Sequence, residues 1–174
     1  MIDVVDYDPS WPRAFQTAAT SLRTAGDSDW VIEHIGSTSI PGMRAKPVID
    51  IAVRLPSLDE MEVWRRPLVA SGWLPIREQP LSHRVMVREN GGRRTHIAHF
   101  FAEADWPTCH QRIFRDWLRG HPDDRASYLA VKTGVRDLNA EEYSQQKEPV
   151  VLAIVNRARA ARGLPPLATL DATP

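Results

Sequence analysis

A single cysteine, Cys109, in 174 residues excludes an internal disulfide framework and every zinc motif built on several cysteines. No activating base lies near it in sequence, so it reads as a small side chain on a helix rather than a nucleophile. Charge of one sign is not in excess: 22 Lys and Arg balance 22 Asp and Glu. That excludes the broadly basic surface behind sequence-independent affinity for nucleic acid, while leaving room for a local cationic pocket. No stretch approaches the roughly 18 apolar residues that span a bilayer. The opening MIDVVDYDPSW is acidic and lacks an apolar core of signal-peptide length. The expectation is a cytoplasmic, soluble protein with no membrane and no nucleic acid as partner. Repeats and low-complexity segments are also absent, and the length suits one domain.

The apolar pattern that is present alternates between two periods. Ser10 before Trp11-Pro12 is placed to cap a helix carrying Phe15, Ala18, Ala19 and Leu22 on one face and ending near Gly26. Residues 30–35 and 48–53 read as strands on either side of a loop with two prolines and Gly42. Ser57 and Glu60 form a capping-box pattern for a helix that Pro67 is expected to kink, and residues 73–76 make a short strand. Residues 83–88 and 94–101 flank Asn90-Gly91-Gly92 and predict an antiparallel hairpin. Beyond Asp105 the pattern turns helical over roughly 106–120, 122–137 and 140–161, with Pro149 placed to bend the last helix. The fold class is therefore α/β (α+β), a mixed sheet flanked by helices with a helical C-terminal extension. It forms one domain over 1–162, with a sheet part at about 1–103, a helical part at about 105–162, and a flexible tail over 163–174.

The stretch EHIGSTSIPGMRAKPVIDIAV, residues 33–53, carries the chemistry. Gly36 allows a ligand close to the backbone, and Ser37, Thr38 and Ser39 offer hydroxyls beside main-chain N–H groups that can cradle phosphate. Lys46 and Arg44 can supply countercharge. Strand alternation turns Asp50 away from the apolar face, to the side of Ala52, where a carboxylate can hold Mg²⁺ against a triphosphate. On pattern alone a purely structural loop, with Asp50 accepting backbone hydrogen bonds, is an equal reading.

The run HIGSTSIPGMRAKPVID closely resembles the signature of the GrpB family, which is assigned to the nucleotidyltransferase superfamily and is sometimes fused to dephospho-CoA kinase. Further resemblance lies in YDPSWPRAF at 7–15, RTHIAH at 94–99, FRDWLRGHP at 114–122 and the Tyr143–Lys147 stretch. The resemblance implies a nucleotidyltransferase-like sheet, with Gly36-Ser37 followed after twelve residues by Asp50 on a strand. The superfamily's second carboxylate falls at Ala52, which weakens the usual two-metal scheme. Glu103 and Asp105 are the later acids that can compensate. The third position falls in the strand of His96 and His99, whose alternation puts them on opposite faces unless a bulge intervenes. A neutral imidazole there can act as a base or a ligand. His34 can orient the loop or simply pack. By resemblance Arg94, Arg115, Lys132 and Lys147 can border the cleft.

These readings converge on transfer of a nucleotidyl group from a nucleoside triphosphate to a small-molecule acceptor, with Mg²⁺ at Asp50 and no organic prosthetic group. A carboxylate acceptor would make the enzyme an adenylating ligase. The alternatives are a non-catalytic nucleotide- or coenzyme A-binding module of the same fold, favoured by Ala52, and a metal-dependent hydrolase with Asp50, His96 and His99 as ligands.

Overall fold

The computed structural model describes residues 4–78, 80, 82–134 and 140–170, the side chains of 140–145 excepted. Five strands form one mixed sheet: β1 Val31–Ile35, β2 Ile49–Leu55, β3 Leu74–Pro75, β4 Arg84–Asn90 and β5 Arg93–Ala102. Their order is β1-β2-β5-β4-β3. β2 and β5 pair in parallel at its centre, and the other neighbours are antiparallel. The β4–β5 turn rests on Gly91 and Gly92 with φ of 56° and 73°, the left-handed pair that a two-residue hairpin turn requires.

Helices α1 Trp11–Ala25 and α2 Met61–Ala70 cover one face. The i, i+4, i+7 spacing of Trp11, Phe15, Ala18 and Leu22 packs against Ile32, Ile49, Ile51, Val53 and Phe100, the even-parity face of β1 and β5 and the odd-parity face of β2. Truncating Leu22, fully buried there, would cost about 2–5 kcal/mol. The helix starts differently from expectation. Ser10 is itself helical and makes no side-chain cap, and the Asp8 carboxylate accepts the Ser10 N–H at 2.7 Å instead. Ser57 makes no cap bond either, because a 3-10 turn at Leu58–Glu60 intervenes, and α2 runs through Pro67 to Ala70.

The other sheet face carries Ile35, Ala52 and Phe101, packed with Trp106 and Cys109; α3 His110–Gly120 meets β1 on this side, and α4 Pro122–Gly134 and α5 Ala140–Ala160 pack on α3 and on each other. A 3-10 turn at Trp106–Thr108 and the non-helical Cys109 delay α3 to His110. The expected break at Leu138-Asn139 lies outside the described residues. Beyond α5, Leu167 exchanges two hydrogen bonds with Asn156, and Arg159 Nε donates to the Pro165 carbonyl at 2.7 Å. No helix among the described residues is long and apolar enough to cross a membrane.

Candidate functional site

The site begins where β1 ends opposite Asp50. Ile35 is the cross-strand partner of Asp50, so Gly36 turns the chain directly over that carboxylate. Gly36 has φ 68° and ψ −177°, a region open to little besides glycine. A Cβ there would lie 2.8 Å from Asp50 Cβ and closer still to its Oδ2. The glycine thus serves both the turn and the close approach.

The chain then makes a 3-10 turn over Ser37–Ser39, and its tight winding sends the three hydroxyls to different places. Ser37 lines the cleft beside Asp50. Thr38 is buried and donates to the Val48 carbonyl at 3.2 Å, so the His34 Nε2, 3.0 Å away, must donate to it. Burial and the charges of Arg119 and Arg115 keep His34 neutral, its pKa down to about 4. Ser39 Oγ donates back to the Gly36 carbonyl at 2.6 Å. Of the three expected phosphate donors, Ser37 alone faces the cleft; Thr38 and Ser39 hold the loop shut.

The expected cations divide in the same way. Lys132 of α4 is 2% exposed and donates 3.0 Å bonds to Ser37 Oγ and the Arg44 carbonyl. Burial, aided by the charge of Lys147, pushes its pKa down to about 7 against the pull of Asp50. Lys147 of α5 lines the cleft, and burial lowers it to about 8. Burial also drives Asp50 up to about 6, opposed by Lys147, Lys132, Lys46 and Arg94 in that order. Lys46 and Arg94 are exposed charges at the rim. Arg94 reaches this side because β5 bulges at Thr95: Arg88 pairs with His96 but Glu89 with Arg94.

Arg44 and Arg115 point elsewhere. The Arg44 side chain pairs with Asp6 at 2.9 Å, and only its carbonyl contributes, through Lys132. Arg115 bridges Glu33 at 2.7 Å, binds Asp116, and donates to the His34 carbonyl. Arg112 and Arg119 extend this seam to Glu33 and to the Ser39 carbonyl. The seam clamps α3 onto β1 and the loop. Arg115→Met is expected to lower stability by about 1–2 kcal/mol in urea unfolding, because the His34 carbonyl loses its donor while Glu33 keeps Arg112, and Asp50 keeps its surroundings.

Ala52, where a second carboxylate was sought, is fully buried among apolar groups. Glu103 pairs outward with Arg54 at 3.6 Å, and Asp105 borders a separate small cavity. The acid that does line the cleft is Glu148 of α5, invisible to strand-based spacing. The register decides the histidines. His96, opposite Ile49, lies on the α1–α2 face against Trp73 and leaves the site, because the bulge precedes it rather than separating it from His99. His99, opposite Ala52, lines the cleft and meets His83, with Nδ1 and Nε2 3.0 Å apart.

The result is a cleft of about 510 Å³, with Asp50, Ser37, Lys147, Glu148, His99 and His110 among its polar lining and Ile35, Phe114, Tyr128 and Val151 among its apolar walls. Tyr128 is buried and its pKa raised by that burial, with a Ser37 hydrogen bond opposing. Amines near a carboxylate at the start of β2, beside apolar and aromatic side chains, suit an anion attached to a ring. Among the described residues no three His, Cys, Asp or Glu side chains gather as a metal site. Asp50, with Glu148 also lining the cleft, would suit Mg²⁺ carried in on phosphates, which needs only one or two protein carboxylates.

The family model described as GrpB protein matches residues 1–157. A UPF0157 protein of Pseudomonas aeruginosa is 37% identical over 170 residues, covering 92% of this chain and 69% of the relative. One of Streptomyces coelicolor is 36% identical over 167 residues, covering 92% and 86%. A dephospho-CoA kinase of Mycobacterium tuberculosis is 31% identical over 184 residues, covering 89% of this chain and 45% of the kinase. Among solved structures, the conserved protein GrpB from Enterococcus faecalis superposes with a TM-score of 0.81 at 23% identity, over 92% of this chain and 99% of that one. Cid1 poly(U) polymerase bound to MgATP superposes at 0.52 with 13% identity, over 75% and 44%. At these identities both structures speak to fold, a nucleotidyltransferase-like one.

Proposed function

This chain belongs to the GrpB family, and we propose that it binds a nucleoside triphosphate at the Asp50 cleft and transfers the nucleotidyl group to a small-molecule acceptor. The observation that carries the reading is the stacking of Gly36-Ser37 over Asp50 with Lys132 and Lys147 alongside. Lys132 holds Ser37 and neutralises phosphate charge, Lys147 adds a second cation, and Ser37 offers a hydroxyl at the mouth. Phe114 and Val151 provide apolar area for a base. Asp50 would hold Mg²⁺, which supplies charge neutralisation on the phosphates when bound. The acceptor's oxygen would bond to the α-phosphorus as pyrophosphate leaves. Cid1 is described with MgATP and MgGTP bound, which supports this choice of ligand on the shared fold.

Ala52 favours a second reading, a module that binds the nucleotide or a coenzyme A derivative without turnover. The kinship with dephospho-CoA kinases makes the coenzyme A derivative a concrete ligand to try. The hydrolase reading loses its ligand set with His96. Calorimetric titration separates the first two: Mg²⁺-dependent triphosphate binding with release of nucleoside monophosphate or its ester supports transfer, and binding with no chemistry supports the module.

A further inference from the structure

His83, just before β4, stands behind His99 and links it to Ser82. Ser82 Oγ lies 3.0 Å from His83 Nδ1, and His83 Nε2 lies 3.0 Å from His99 Nδ1. His83 is 6% exposed, and His83 and Phe101 stack at 4.8 Å between ring centroids. One proton fits between the two imidazoles, so the chain has two neutral arrangements. In one, His99 carries its proton on Nδ1 and presents a bare Nε2. In the other, protons have moved along to Ser82 and Nε2 is protonated. Since Nδ1 faces His83 and His99 lines the cleft, Nε2 is the nitrogen left for a ligand there.

The geometry points to Ser82–His83–His99 as a proton exit for the acceptor, and hence to an acceptor that reacts through an alcohol hydroxyl rather than a carboxylate. This rests on the transferase reading above. The hydroxyl proton passes to His99 Nε2 while its oxygen bonds to the α-phosphorus and the bond to pyrophosphate breaks, the electron pair leaving with pyrophosphate. The His99 Nδ1 proton passes to His83 Nε2, the His83 Nδ1 proton to Ser82 Oγ, and the Ser82 proton to water. No imidazolium is required at any stage. That matches burial depressing His83 to about 4, with His110 and Arg84 adding to it, and His99 to about 3, with His83 and His110 adding to it. A carboxylate acceptor is already ionised and leaves this chain without a task. His99 is the base, and His83 is a positioning residue that acts through it.

Two measurements test this on the full chain with Mg²⁺ and ATP, water serving as the hydroxyl probe. Nitrogen NMR of the imidazoles should show both rings neutral at pH 7 and exchanging tautomers together. In turnover of ATP to AMP and pyrophosphate, His99→Gln should lower kcat on the order of 100-fold and His83→Gln on the order of 10-fold, with nucleotide affinity unchanged. His99 locked with Nε2 protonated, either ring charged at pH 7, or wild-type kcat in both variants would each overturn the relay. Failure of ATP to bind, or bound ATP that never reacts, is read separately and overturns the transferase reading on which the relay rests.

Discussion

Gly36→Ala is expected to lower stability by about 4 kcal/mol in urea or thermal unfolding and to abolish ligand binding at the cleft. Two independent costs add. At φ 68° and ψ −177° a side chain is strained by roughly 1–3 kcal/mol. The new methyl would also meet Asp50, and overpacking costs a further ~1–3 kcal/mol. Adding Asp50→Gly removes the colliding atoms but not the backbone strain, so the double variant should recover only part of the loss. A Gly36→Ala protein within 1 kcal/mol of wild type would mean that β1 does not turn over Asp50 in this way.

Lys132→Met should move stability and binding in opposite directions. The amine is buried and its pKa lowered to about 7 from 10.5, so the charged form is disfavoured in the fold. Below pH 7 the group is charged in both states and the cost is fully present. Between 7 and 10.5 the unfolded chain binds more protons, so its contribution to stability rises with pH. An apolar side chain of similar volume removes the cost, and the variant should be as stable as wild type or more so at pH 6.5, with a flatter pH dependence above 7. Triphosphate affinity should fall about 10- to 100-fold, the value of a charge-assisted hydrogen bond in a partly closed site. In wild type at pH 8.5, where Lys132 and Lys147 are mostly neutral, the arriving anion should restore their charge. Titration in two buffers of different ionisation enthalpy should then read uptake of up to about two protons, and about one in Lys132→Met. A variant that is less stable and binds as before would assign Lys132 a structural role.

The sheet was legible because period-two alternation and the Asn90-Gly91-Gly92 turn are local signals. Asp50 on the face of Ala52 followed from the same alternation, and its position beneath Gly36 needed the register between β1 and β2. The hydroxyls misled because Ser37–Ser39 wind as a 3-10 turn: a loop read as open donors is stitched by Thr38 and Ser39 to its own backbone. Arg115 misled for a related reason. On a helix its i,i+4 partner Arg119 is visible in sequence, but Glu33, which captures it from β1, lies 82 residues away. Lys132 and Lys147 came from family resemblance alone. Their burial near Asp50 depends on how α4 and α5 fold back, which no local pattern encodes. His110 and Glu148 gave no signal because their place beside Asp50 depends on how α3 and α5 pack, and the bulge that the histidine strand required lies before His96 rather than between it and His99.

The central claim is that the cleft over Asp50 is a nucleoside triphosphate site. Calorimetric titration of wild type and Asp50→Ala with ATP, GTP, CTP and UTP, each with and without Mg²⁺, tests it most directly. The account requires Mg²⁺-dependent binding of at least one triphosphate by wild type, lost in a folded Asp50→Ala protein. No binding by wild type, or equal binding by both proteins, would contradict it.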